Sequence, residues 1–141
     1  MERALGNCLT VVVVDHDHRV RNFIGRCLTL SGVSVILCAS GFDGRRAIEL
    51  ADLIMLDLVM PDQDGFEFLH QRDKPDRLTR LYRPAIVVMG PGYPEMGADV
   101  RNAGLGYLPK PFTESELIET IVKALPKYSI VPSTLNVLST S

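Results

Sequence analysis

Five short runs rich in Val, Ile and Leu recur along this chain, and between them lie segments whose apolar residues return with helical period. The runs are LTVVVV (9–14), VSVILC (33–38), DLIMLD (52–57), AIVVM (85–89) and LGYL (105–108). Strands that alternate with crossover helices pair in parallel, and continuous apolar runs suit a sheet covered on both faces. This alternation predicts an α/β fold on a parallel five-stranded sheet. With 141 residues, 46% of them hydrophobic, the sheet belongs to one domain with its own core.

The connecting segments agree. Val20, Phe23, Ile24, Cys27 and Leu28 recur at i, i+3, i+4, i+7 and i+8, which makes one apolar face that stops near Ser31-Gly32. Thr113 and Glu116 form a capping box, and Leu117, Ile118, Ile121, Val122 and Leu125 continue an apolar stripe until Pro126 ends it. Weaker helical segments lie near 43–51, 65–73 and 95–103. Pro75 bounds the second of these, and MGPGYPEMG makes the third start late.

Charge excludes some functions. A net charge of −2, with arginines scattered through the chain (Arg19, Arg45, Arg77, Arg101), does not make a nucleic-acid footprint. Cys8, Cys27 and Cys38 are odd in number, lack metal-ligand spacing and sit among apolar residues, so they read as buried thiols in a reducing compartment. No apolar run reaches the roughly 18 residues of a membrane span, and the N-terminus has no signal-like pattern. The expectation is a cytoplasmic protein.

In open α/β sheets, ligands bind beyond the carboxyl ends of the strands, where strand order reverses. Asp15 closes the first run, Asp57 closes the third, and Lys110 follows the fifth. In a 2-1-3-4-5 sheet the first and third strands are neighbours, so the two carboxylates and the ammonium converge. Carboxylates that close repel unless a cation stands between them, and a hard cation also neutralises a phosphoryl group. An ionised aspartate is already a nucleophile, and an acyl phosphate forms with positioning and charge neutralisation alone.

Three motifs carry a family resemblance: VVVVDHDHRVR at the first strand, LIMLDLVMPDQDGFEFL around Asp57, and LGYLPKPFTESEL at the fifth strand and last helix. Over about residues 8 to 125 the chain resembles the receiver domain of two-component response regulators, and the middle motif is highly specific. The resemblance implies a flavodoxin-like (βα)5 fold with helices on both faces, residues 1–125 being the receiver and 126–141 a tail or the start of a linker. It implies that Asp57 accepts a phosphoryl group from a phosphohistidine on a sensor kinase or phosphotransfer protein. Asp15, Asp57 and the backbone carbonyl of Val59 would hold Mg²⁺, Lys110 would contact the phosphoryl group, and Tyr107 would change rotamer on activation. Lys110-Pro111 would be a cis peptide. The face of the fourth helix, fifth strand and fifth helix would serve a homodimer or an output partner. A receiver is a signalling domain, not a turnover enzyme.

Two residues depart from the family pattern. His16 stands where a second acidic metal ligand is usual, and imidazole suits first-row metals better than Mg²⁺. Either Mg²⁺ binds weakly or a metal such as Mn²⁺ is tolerated, with His16 and His18 otherwise reading as surface turn residues and Asp17 an alternative ligand if it turns inward. Met89 stands where Thr or Ser is usual, and a thioether donates no hydrogen bond; its simplest reading is core filler.

Two other functions compete. One is a pseudo-receiver, a protein-interaction module independent of phosphate. The other is a haloacid-dehalogenase-like phosphatase, with Asp15 as nucleophile and Asp17 as acid/base in hhhhDxDx. The tail KYSIVPSTLNVLSTS is too short for an output domain.

Overall fold

The computed structural model describes residues 9–60 and 84–125. Its five strands are β1 (Thr10–Val14), β2 (Ser34–Cys38), β3 (Leu53–Asp57), β4 (Ala85–Gly90) and β5 (Gly106–Pro109). They form one parallel sheet in the order β2-β1-β3-β4-β5. The expected order and class are therefore observed. The helices among the described residues are α1 (His18–Leu30), α2 (Gly41–Ala47), α3 (Pro94–Asn102) and α4 (Glu114–Ala124). The helix expected near 65–73, the PDQDG motif, Cys8 and the segment 126–141 lie outside the described residues.

Alternation of side chains along each strand divides the core in two. Val11, Val13, Leu53, Met55, Val87 and Met89 face α1 and α4, where they meet Ile24, Leu28, Leu117 and Ile121. Val12, Val14, Ile54, Leu56, Ile86 and Val88 face the other way, toward Ala47, Ile48 and Val100. Each inner strand is apolar on both faces because each face has its own helical layer. Cys27 and Cys38 are free, buried thiols, and burial pushes the Cys27 thiol up to about 12.

Helix boundaries follow their caps. Asp17 accepts from the Arg19 amide and opens α1, while Thr113 and Glu116 close a reciprocal capping box at α4. α1 and α3 both end on a glycine at φ 82°, Gly32 and Gly104, with the next amide returning to the last turn (Val33 N to Leu28 O, 2.9 Å; Leu105 N to Val100 O, 3.2 Å). Only glycine enters that left-handed conformation without a Cβ penalty. The second helix was expected over 43–51. It starts instead at Gly41, where Ser40 caps the Asp43 amide at 3.2 Å, and gives way to a 3₁₀ turn over Ile48–Leu50. α3 starts at Pro94, after three intervening residues beyond the end of β4, as the Pro/Gly-rich loop requires.

Phe23 is a correction. It was assigned to the buried face of α1 but is 40% exposed, its ring set edge-on to Phe112 with centroids 5.9 Å apart. Among the described residues its partner is the ring of Phe112 rather than the core, so the apolar stripe is only partly covered there.

Candidate functional site

The carboxyl ends of β1, β3 and β5 meet above the centre of the sheet, and each brings one charged side chain. Asp15 is fully buried and Asp57 is 2% exposed. Lys110 reaches across from the far side of β5, its Nζ 2.7 Å from Asp15 Oδ2 and 3.6 Å from Asp57 Oδ2. The Lys110 amide donates to the Gly90 carbonyl at 2.8 Å, and the Lys110-Pro111 peptide is cis.

The loop after β1 is fixed by its own hydrogen bonds. Asp15 Oδ1 accepts from the Asp17 amide at 2.9 Å, the Asp15 carbonyl accepts from the Arg21 guanidinium at 2.8 Å, and the Asp15 amide donates to the Cys38 carbonyl at 3.1 Å. Asp17 does not turn inward. Its carboxylate accepts from the amide and guanidinium of Arg19, which hold its pKa down at about 2. Asp17 therefore serves α1 as a cap, and the acid/base of the phosphatase alternative is missing from where Asp15 points.

His16 sits at the surface in the turn after β1. About half of its side chain is exposed, yet its Nδ1 lies 3.0 Å from Asp57 Oδ2 and 3.8 Å from Asp15 Oδ1. His18 behaves as expected, exposed as the first residue of α1. Asp57 Oδ1 accepts from the Val59 amide at 3.0 Å. Burial raises the Asp57 pKa above its ordinary value, with the nearby Asp15 charge adding to the rise and the Val59 hydrogen bond and Lys110 opposing it.

Donor atoms of Asp15, His16 and Asp57 all lie within 4.8 Å of one another. Two carboxylate oxygens and an imidazole nitrogen at that spacing fit a divalent cation.

Met89 and Tyr107 occupy the next strand ends. Met89 is fully buried and packs into the α1/α4 side of the core, the filler role its sequence suggested. Tyr107 is also buried, and its hydroxyl donates to the Pro91 carbonyl. Glycines make room for its ring: a Cβ on Gly90 would come 3.1 Å from the hydroxyl oxygen, and one on Gly97 3.2 Å from Cδ2. The Tyr107–Pro91 contact was missed in the sequence, although Gly90, Pro91 and Gly97 were its visible signal.

The chain also matches a family model described as the response regulator receiver domain, over residues 11–122. It belongs to that family. MprA of Mycolicibacterium vanbaalenii, a response regulator, is 35% identical over 77% of this chain and 46% of its own length. The transcriptional regulatory protein GltR of Pseudomonas aeruginosa is 32% identical over 84% of this chain and 49% of its own length. The receiver thus spans about half the length of these curated relatives. Among solved structures, the chemotaxis response regulator CheY4 of Vibrio cholerae superposes with a TM-score of 0.71 at 25% identity, covering 84% of this chain and all of CheY4. These likenesses make the chain a signalling domain of two-component systems, of a kind that typically binds Mg²⁺ and interacts with histidine kinases. Among the described residues, no helix is long and apolar enough to cross a membrane.

Proposed function

We propose that this receiver accepts a phosphoryl group on Asp57 from the phosphohistidine of a sensor kinase or phosphotransfer protein. The convergence of Asp57, Asp15 and Lys110 at one strand edge carries the reading. An Asp57 oxygen bonds to phosphorus, the phosphorus–nitrogen bond of the donor breaks, and the donor imidazole leaves with the electron pair and takes up a proton. Burial leaves the Asp57 carboxylate poorly solvated, which favours nucleophilic attack, while the Val59 amide fixes its orientation. Lys110 lies close enough to shift from Asp15 toward a phosphoryl oxygen on Asp57. Asp15, Asp57, the Val59 carbonyl and His16 are the residues that would hold Mg²⁺ or Mn²⁺. The bound cation supplies neutralisation of the phosphoryl charge.

The remaining assignments belong to the same proposal. Residues 1–125 form the receiver and 126–141 a tail or linker start. The face of α3, β5 and α4 meets a second copy or an output partner, and the protein works in the cytoplasm without touching nucleic acid directly. Tyr107 reports the state of the site to that face.

One observation favours a phosphate-independent interaction module instead: His16 already occupies Asp57 Oδ2. Mass spectrometry after incubation with acetyl phosphate, run in parallel with saturating Mg²⁺ and with Mn²⁺, separates the two. One labile phosphoryl group is expected, lost in Asp57→Asn. An unlabelled wild type, or labelling that persists in the variant, refutes the phosphoacceptor reading.

A further inference from the structure

The loop after β1 places a nitrogen, not a third carboxylate, beside the two aspartates, and the arrangement says which ions suit them. We infer that the cation site of this receiver is a mixed nitrogen–oxygen site, formed by Asp15, His16 Nδ1 and Asp57, that selects first-row transition ions such as Mn²⁺ and Co²⁺ over Mg²⁺. The inference rests on the proposed cation site, but not on whether Asp57 is ever phosphorylated.

The donors are already spaced for it. An ion bound at about 2.1 Å to nitrogen and oxygen holds neighbouring donors roughly 3 to 3.5 Å apart. His16 Nδ1 lies 3.0 Å from Asp57 Oδ2 and 3.8 Å from Asp15 Oδ1, so one pair fits as it stands and the other closes with a few tenths of an ångström of side-chain movement. The far oxygens are engaged elsewhere, Asp15 Oδ2 by Lys110 at 2.7 Å and Asp57 Oδ1 by the Val59 amide at 3.0 Å. The oxygens nearest the ring, Asp15 Oδ1 and Asp57 Oδ2, also meet the Asp17 amide at 2.9 Å and Lys110 Nζ at 3.6 Å, and a carboxylate oxygen has a second lone pair to offer an ion.

The ring is also held there. Its backbone lies between Asp15, fixed through Arg21 and Cys38, and Asp17, fixed as the α1 cap. A histidine with half its side chain in solvent is free to point outward, and this one points in. A neutral imidazole carrying its proton on Nε2 presents the Nδ1 lone pair to an ion, whereas the Nδ1–H tautomer donates to Asp57. Both forms use the same ring position.

Charge and softness then set the preference. Mg²⁺ is held by negative oxygen ligands and sheds water reluctantly. With imidazole in place of a carboxylate, the site has one negative charge fewer, and Lys110 offsets part of the charge that remains. Nitrogen compensates only for ions that bond to it well, and affinity at such sites rises from Mn²⁺ to Co²⁺.

The test uses the whole chain without a phosphodonor. Calorimetry ranks Mg²⁺, Mn²⁺ and Co²⁺, and pulsed electron paramagnetic resonance on bound Mn²⁺ detects directly coordinated ¹⁴N. Wild type is expected to show the ¹⁴N coupling and to keep it in His18→Ala. His16→Asp, with its fold checked by circular dichroism, should lose the coupling and lower the Co²⁺-to-Mg²⁺ affinity ratio at least about tenfold. Absence of metal binding, absence of the coupling in wild type, its loss in His18→Ala or its survival in His16→Asp, or an unchanged ratio overturns the inference. Phosphoryl labelling of Asp57 is scored separately, so labelling without the coupling defeats this inference alone, and the coupling without labelling defeats only the phosphoacceptor reading.

Discussion

Lys110 Nζ stands nearer to Asp15 than to Asp57, 2.7 Å against 3.6 Å, so in the resting receiver the ammonium belongs to the β1 carboxylate. Asp15 is fully buried and Lys110 is one-quarter exposed. Removing one partner of a buried pair costs several kcal/mol; with this partial exposure, Lys110→Met should lose about 2 kcal/mol in urea unfolding without divalent cations. Mg²⁺ should restore part of the loss, because it supplies Asp15 with another positive neighbour. A loss below about 0.5 kcal/mol would mean that solvent screens the pair.

His16→Asp should tighten Mg²⁺ binding. The change adds a negative charge and a hard oxygen next to Asp57 Oδ2, and the gain expected by calorimetry is at least about tenfold, or roughly 1.4 kcal/mol. Unchanged Mg²⁺ affinity would show that the ring leaves the site in solution.

Met89 gives the site no hydroxyl, and its side chain is committed to the core. A ligand shifts a conformational equilibrium only through differential contacts, so amide shifts on beryllofluoride addition should stay near Asp57 and Lys110. Met89→Thr should extend them toward Tyr107 and α4 while costing about 1–3 kcal/mol for the lost core volume and buried hydroxyl. Wild-type shifts that already reach α4 would mean another donor has taken over the coupling.

Gly90→Ala tests how Tyr107 is held. The added Cβ would lie 3.1 Å from the tyrosine oxygen, so the ring should move off the Pro91 carbonyl. Changed Tyr107 ring resonances and greater tyrosine exposure to solvent quenchers are expected. Tyr107→Phe, which loses only the hydrogen bond, should cost about 1 kcal/mol. Ring resonances unchanged in Gly90→Ala would place the slack elsewhere in the loop.

The raised Asp57 pKa fixes the sign of a pH effect. Because burial disfavours its charged form, the stability tied to this group is fully present below its unfolded-state pKa, about 3.9. That stability is lost as pH rises through the higher folded value. At pH 7 with a chelator, the wild type carries a destabilisation from the buried carboxylate and Asp57→Asn carries none. The variant should melt higher there, and calorimetry at falling pH should show the gap closing. A variant that melts lower at pH 7 would mean that the His16 and Lys110 contacts outweigh the burial.

What the sequence made legible was whatever burial dictates. The strand runs matched to within a residue, because a strand covered on both faces must be apolar along its length, and Met89 read as core for the same reason. Helical period gives the angle of a residue but not whether a neighbour stands opposite it, and for that reason Phe23 was assigned inward. The start of α2 was misplaced because Ser40 acts through one side-chain hydrogen bond, which leaves no apolar trace. Asp15, Asp57 and Lys110 could be placed together because strand order alone brings their positions together. The direction of the His16 ring could not be read, since it depends on how the Asp15 and Asp17 hydrogen bonds bend three residues of loop.

The order in which the site can assemble follows from where its charges lie in the sequence. Lys110 meets Asp15 across 95 positions of sequence and His16 meets Asp57 across 41. During synthesis, a chain that has emerged only through β3 therefore displays both aspartates and no lysine. The site is completed only after β5, the last in sequence of the strands among the described residues, adds to the edge of β4. A product that stops before β5 lacks Lys110, and its two aspartates would face each other without that ammonium.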